Sequence, residues 1–442
     1  MKIKEVFEDI IILSIPVIGE MIVYNFANSF ELIMIGRFGG NEYVSAITLC
    51  NELIDSIYAI FITSGLCIAI TSYIARSFGK KDRQSVIDYS FIGVFLGMIL
   101  SIVLCVLLNK GGSKILSLMN AKGEVMALGI SYIKIISLTL IPGIFVHTIN
   151  AILRGVGDTI TPFIISLIIC FSKITFYLLL VSELFAVPTG IKGPALATLI
   201  SQILGAFFII KHLRENKYSL IFNKKIRLYK IFDFLRGGLS CIFEEGAYSI
   251  SRLICTGMIL SLGSRAFAAN QIANTIEAIS FMLSISLGIA ITTIVGIKIG
   301  EGNILMAKKY TYYSCLFAAI ISLIFSGIFF LFPFELSKIF VNKEEVEVIY
   351  YTGMCLLIGA IEQPFIAISS VFSGALKGLG DAKTPFIIST FTAWFIRMPL
   401  MYYFIYIYKK PVTYVWWITS LQWGVDGILM YFGFKRKVNM IQ

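Results

Sequence analysis

Long apolar runs, separated by short clusters of Gly, Pro, Asp, Asn, Lys and Arg, follow one another from end to end of this 442-residue chain. Most reach about 20 residues or more, the length an α-helix needs to cross a hydrocarbon core of about 30 Å. Runs and breakers predict twelve spans, near residues 10–35, 44–75, 87–108, 125–152, 161–185, 194–213, 234–262, 266–297, 310–332, 346–373, 384–406 and 412–433. They are too long and too evenly apolar for transmembrane barrel strands, which alternate over about ten residues. The expected fold is an all-α membrane protein of twelve transmembrane helices. No cleavable leader is expected ahead of the first span.

The polar breakers repeat. Arg154 to Ser166 reads "RGVGDTITPFIIS", and Lys377 to Ser389, 223 residues later, reads "KGLGDAKTPFIIS", identical at nine of thirteen positions. "IAITSYIARSFG" (Ile68 to Gly79) is echoed by "IAITTIVGIKIG" (Ile289 to Gly300), and "YVSAITLCN" (Tyr43 to Asn51) by "AFAANQIAN" (Ala266 to Asn274). A shift near half the chain length means internal duplication. The expected domains are a six-helix lobe at 1–210, a basic cytoplasmic linker at 211–236 and a second six-helix lobe at 237–442. Six helices per copy is even, so both copies start on the same side, related by a pseudo-two-fold along the membrane normal.

The doubled breaker reads as a tight corner between spans four and five, and again between ten and eleven. Gly155 and Gly157 can supply positive φ or close backbone approach, Asp158 or Thr159 can cap the next helix, and Pro162 suits its first turn. Gly378, Asp381 and Pro385 are the matching positions of the second copy. With no GxxxxGK[ST] and no preceding strand, the glycines do not form a phosphate cradle.

Composition agrees with the pattern: 57% of residues are hydrophobic, 14% are charged, and the mean hydropathy is +0.86, far from a soluble protein with about 25% charge. The net charge of +11 reflects topology. With the N-terminus inside, 23 of the 37 Lys and Arg fall on inside segments and 10 on outside loops. Both termini are therefore expected on the cytoplasmic side of the cell membrane. No basic-aromatic module argues for nucleic acid. All eight cysteines fall inside spans without a CxxC pair, so they read as packing residues, not disulfides or metal ligands. Lone His147 reads as a core histidine.

Ionisable residues inside apolar spans are costly and are functional candidates by default. Span one carries Glu20, Tyr24, Asn28 and Glu31 on one helical face, expected to line a wet cavity. Span seven opens with Glu244, Glu245 and Tyr248, so Glu-x-x-x-Tyr recurs at a shift of 224. Spans two and eight add Glu52 and Asp55, then Asn270, Asn274 and Glu277, and span ten holds Glu362 before Pro364. Matching carboxylates in two lobes suit H⁺, Na⁺ or an organic cation. The structural alternative pairs Glu20 and Glu244 with Lys173 or Arg252. Lys173 and Arg397 correspond at a shift of 224, and each can neutralise a carboxylate of its own lobe or hold an anionic headgroup.

The paired "LRGVGDTITP" and "LKGLGDAKTP", "GRFGG" after an acidic first helix, "LGSRAFAANQIA" and "WFIRMPL" together resemble the multidrug and toxic compound extrusion (MATE) family, prokaryotic type, over nearly the whole chain. The resemblance implies a monomeric secondary antiporter that expels small organic cations in exchange for H⁺ or Na⁺ by alternating access, without other cofactors. Glu31 stands where the family often has an Asp. In span seven the family's usual acid position is Tyr248, one turn from Glu244. In span ten it is Ile366, one turn from Glu362. A flippase for a lipid-linked precursor is the rival reading, but it would want a net basic cavity. A membrane-embedded enzyme lacks clustered ligands and an HExxH, and a passive channel does not fit the duplication.

Overall fold

A computed structural model describes residues 3–38, 41–119, 121–181, 190–215, 228–340 and 345–441. They form twelve long helical segments and, among the described residues, no strand. These are α1 (Ile3–Phe38), α2 (41–79), α3 (Arg83–Leu118), α4 (123–155), α5 (Ile160–Val181), α6 (Lys192–Glu215), α7 (Leu228–Leu260), α8 (Ser264–Gly300), α9 (Ile304–Leu331), α10 (Val346–Gly378), α11 (383–407) and α12 (Thr413–Ile441). A short helix, Pro333–Phe340, lies between α9 and α10. Each segment overlaps one of the expected spans; residues 182–185 of the fifth lie outside the described residues. Eight of them, α2 to α6 and α8 to α10, are long and apolar enough by composition alone to cross a membrane. Gly39 and Gly40 of "GRFGG" and residues 216–227 of the expected linker lie outside the described residues.

The outward faces are greasy, as a bilayer solvent demands. Phe171, Leu253, Phe395 and Phe432 are all exposed.

The chain divides into two compact units: residues 15–78 with 82–235, and residues 1–14 with 79–81 and 236–442. Among the described residues the first has one core, which includes Ile70 and Ile74 of α2 and Tyr132, Ile149 and Leu153 of α4. The second has two. One joins Leu287 and Ile291 of α8 to Val371 and Ala375 of α10, Phe434 of α12, and Val6 and Ile10 from the start of α1. The other surrounds Cys355, Leu356, Met401 and Trp416.

The duplicated motifs make the same contact in each unit. Thr71 of the first "IAIT" donates to the Ala151 carbonyl at 3.1 Å, and Thr292 of the second donates to the Gly374 carbonyl at 3.0 Å. Small residues allow this approach. A Cβ at Gly374 would fall 2.1 Å from the Gly288 carbonyl oxygen, so α8 and α10 meet backbone to backbone. Interhelical packing in membranes favours such small-residue seams, because burial from water does not drive it. The helices after these motifs are capped alike, α3 by Asp82 on the Ser85 N–H and α9 by Asn303 on the Met306 N–H, both at 3.0 Å.

Candidate functional site: buried carboxylates and their partners

Both doubled corners are built the same way. Asp158 accepts the Thr161 N–H at 3.0 Å and the Thr161 hydroxyl at 2.7 Å, capping α5. Asp381 accepts the same groups of Thr384 at 3.1 and 2.9 Å, capping α11. Gly157 (φ 91°) and Gly380 (φ 85°) take the left-handed turn between the helices. Gly155 and Gly378 instead permit close packing: a Cβ there would lie 2.8 Å from Ile74 and from the Thr292 carbonyl oxygen, respectively. Pro162 and Pro385 stand in the first turns of α5 and α11, where the missing N–H has no helical acceptor. Burial raises the Asp381 carboxyl, but the Thr384 N–H and hydroxyl and the Lys437 ammonium, 3.2 Å away, outweigh it and hold the group below the usual carboxylate range.

The corners also carry the counter-charges of the first-helix acids. Glu20 is buried and pairs with Arg154 at 2.8 Å, with Asn150 adding a 3.5 Å bond. Glu244 pairs with Lys377 at 3.0 Å. Arg154 and Lys377 are the first residues of the two corner motifs, so the ion pair itself is duplicated. This corrects the partners named from sequence. Lys173 is engaged elsewhere and Arg252 is exposed; the cations that reach the two acids stand in the last turns of α4 and α10.

Lys173 belongs to Glu31. The two meet at 2.5 Å, and Glu31 is only 4% exposed. Asn51 donates to Glu31 at 3.0 Å and Tyr132 at 3.4 Å, while Tyr132 also reaches Asn51 at 2.9 Å. Lys173 lies 3.4 Å from the Asn28 amide oxygen and 5.9 Å from the Tyr177 ring centre. Tyr24 is solvent-accessible and donates to Asp55 at 2.9 Å. The acidic face of α1 therefore does not form one wet stripe. It splits into two buried ion pairs with an exposed tyrosine between them, since each glutamate finds a cation on a different helix.

The second unit is arranged differently. Glu277 of α8 and Glu362 of α10 are neighbours, close enough for each to act on the other. Gln363 donates to Glu277 at 2.8 Å, and Ser420 donates to Glu362 at 3.2 Å. Glu362 is 2% exposed, and among the described residues no Lys or Arg forms an ion pair with either acid. Pro364 leaves the Ala360 carbonyl without its helical N–H. The Ser326 hydroxyl of α9 supplies the replacement at 2.7 Å, so α10 continues past the proline. Asn270 accepts the Trp416 indole N–H at 3.1 Å, and Asn274 bonds Gln271 at 3.5 Å. Glu245 accepts from Ser249 at 3.5 Å.

Arg397 does not neutralise a carboxylate among the described residues, in contrast to the pairing expected within its lobe. It donates to Ser251 at 3.0 Å and lies 4.7 Å over the ring of Tyr248. The reason is a substitution in its partner helix: at the shift relating Glu20 to Glu244, the counterpart of Glu31 is Cys255.

Sequence reasoning missed three polar centres. Asp426, buried in α12, accepts Ser369 at 2.5 Å and Thr392 at 2.8 Å. Asp88 and Lys230 form a buried pair at 2.7 Å. Tyr132 and Gln363 join the two acid clusters described above. Asp426 was visible as a lone charge in span twelve. The others carried no sequence signal beyond being polar. A cavity of about 520 Å³ lined by Ser264, Arg265, Glu345 and Glu347 shares no residue with these clusters.

Relatives of known structure have this architecture. A MOP superfamily transporter from Pyrococcus furiosus superposes with a TM-score of 0.89 at 20% identity, covering 98% of this chain and 96% of that one. A structure of MATE in the bent conformation gives 0.89 at 21% identity, covering 99% and 96%. In sequence, the chain is 26% identical over 424 residues to "Probable multidrug resistance protein NorM" of Thermotoga maritima, covering 94% of this chain and 89% of the relative. It is also 26% identical to the protein of the same name from Oceanobacillus iheyensis, over 98% of both. The MatE family model matches residues 16–179 and again 241–403, one match for each copy of the duplication. With both copies matched, the chain belongs to the MatE family.

Proposed function

We propose that this protein is a secondary antiporter that exports organic cations across the cell membrane in exchange for H⁺ or Na⁺, by alternating access. Family membership and the names of its relatives support export of small organic compounds. The observation that carries the coupling is the contact between Glu277 and Glu362. Two neighbouring carboxyl groups resist ionising together, so the pair is suited to take up and release a proton. A Na⁺ would sit against the same carboxylate oxygens, with the Ser420 hydroxyl oxygen beside them.

The other acids are less suited to exchange. Glu20, Glu31 and Glu244 each have a Lys or Arg in direct contact, so an incoming cation would first have to displace a bound one. In the proposed cycle, ion uptake neutralises the Glu277–Glu362 pair and weakens its hold on a cationic cargo, which leaves. Discharge of the ion on the other face restores the negative site for the next cargo. The distribution of basic residues supports both termini on the cytoplasmic side, and the proposed unit of transport is the monomer.

The test is uptake of a fluorescent organic cation into proteoliposomes, with pH and Na⁺ gradients imposed separately. One of the two gradients is expected to drive uptake in the wild type, and Glu362→Gln is expected to uncouple it. Uptake indifferent to both gradients would sink the antiporter reading.

A further inference from the structure

In the first unit the cation of α5 has its carboxylate; in the second unit its counterpart does not. Arg397 follows Lys173 by 224 residues and is 4% exposed. Where Glu31 meets Lys173, the second copy has Cys255, whose thiol lies beside the guanidinium. Arg397 uses Nη2 on the Ser251 hydroxyl and lays its plane near Tyr248, and its buried Nε–H has no acceptor. The acids within the spans of this unit are engaged elsewhere: Glu244 by Lys377, Asp426 by Ser369 and Thr392, Glu277 by Gln363, Glu362 by Ser420 and Glu245 by Ser249.

A guanidinium stays charged at any physiological pH, and burying it without a counter-charge is unfavourable. Its Nε–H and Nη–H form a planar fork that fits a carboxylate with two parallel bonds. The backbone is also altered here. Thr392–Arg397 is π-helical, whereas α5 is regular α-helix through Lys173, and such turns recur at functional sites.

We infer that Arg397 is a carboxylate-binding point, which takes the acid group of a zwitterionic organic cargo whose cationic group is held at the buried acids. One guanidinium among neutral neighbours balances a single negative charge, which favours a carboxylate over a phosphate dianion. This deepens the cation-export reading above and rests on it.

The test uses the full chain in lipid nanodiscs and two dyes with one xanthene cation: rhodamine 110, which carries a free carboxylate, and rhodamine 123, its methyl ester. The wild type is expected to bind rhodamine 110 about tenfold more tightly. In Arg397→Gln the ratio of the two affinities is expected to fall to about one, and in Arg397→Lys to be partly retained. A wild-type ratio near one, or a ratio unchanged in Arg397→Gln, overturns the proposal. Sodium benzoate distinguishes the source of the carboxylate. Displacement of rhodamine 110 alone supports a point open to free carboxylates, displacement of neither dye supports one read only on the cargo, and displacement of both overturns the site. Should neither gradient move either dye in liposomes while the affinity ratio holds, the transport reading fails and the carboxylate site stands.

Discussion

The Glu20 carboxylate meets the Arg154 guanidinium at 2.8 Å, and Arg154 is the first residue of the doubled corner. Its copy, Glu244 with Lys377 at 3.0 Å, repeats the relationship in the second unit. Each corner thus fixes its helix pair by backbone turn, aspartate cap and ion pair together, and the first helix of each repeat is tied to the end of its fourth.

Breaking one partner should cost more than removing both. Arg154→Met leaves Glu20 buried and unpaired, with an expected loss of about 3–5 kcal/mol, whereas Glu20→Gln with Arg154→Met should recover a large part of it. Thermal unfolding in detergent of the wild type, both single variants and the double closes the cycle. Additive losses would show that the pair does not act as a unit.

Glu277 and Glu362 should respond as one titrating site. Either Glu→Gln change removes one carboxylate of the pair, so the pH dependence of gradient-driven uptake should flatten, with a rate loss of about tenfold or more. Glu31→Gln is expected to act mainly on stability, since it removes the counter-charge of Lys173. Uptake assays from about pH 5.5 to 8.5 on the three variants separate the two roles. Equal flattening in Glu31→Gln would move the coupling site to the first unit.

Asp381 gives a pH signature of the corner. A carboxyl whose folded pKa lies below its unfolded value stabilises the fold above the unfolded value of about 4, and that contribution is lost as pH falls through the folded value. Asp381→Ala removes the α11 cap at an expected cost of about 0.5–2 kcal/mol. The Tm difference from wild type should be constant between about pH 5 and 8 and shrink below about pH 4. A difference that grows on acidification contradicts the depressed carboxyl.

Ser326 and Pro364 should be coupled through a carbonyl that neither owns. Ser326→Ala deprives the Ala360 oxygen of its donor, with an expected cost of about 1–3 kcal/mol. In the Pro364→Ala background the restored N–H takes over, and the same substitution should cost little. Unfolding midpoints of the four proteins decide it; an undiminished Ser326→Ala effect in the Pro364→Ala background would show that the hydroxyl acts on something else.

Sequence alone determined the class and the repeat. Twenty-residue apolar runs admit one solution in hydrocarbon, because every backbone polar group must be satisfied within the helix. The shift near 223 made the duplication visible, and the Gly-x-Gly-Asp corner announced its own turn, since cap and turn chemistry act over a few residues. The chemistry of the buried charges was not legible in the same way. Glu20, Glu31 and Glu244 were found as acids, but their cations lie 134, 142 and 133 positions away, and spacing does not encode contacts between helices. The contact of Glu277 with Glu362, the rescue of Ala360 by Ser326 and the buried Asp426 are likewise products of packing. Only the tertiary structure decided which buried acid has a counter-charge, which lies beside a second acid and which cation, Arg397, is left without a carboxylate among the described residues.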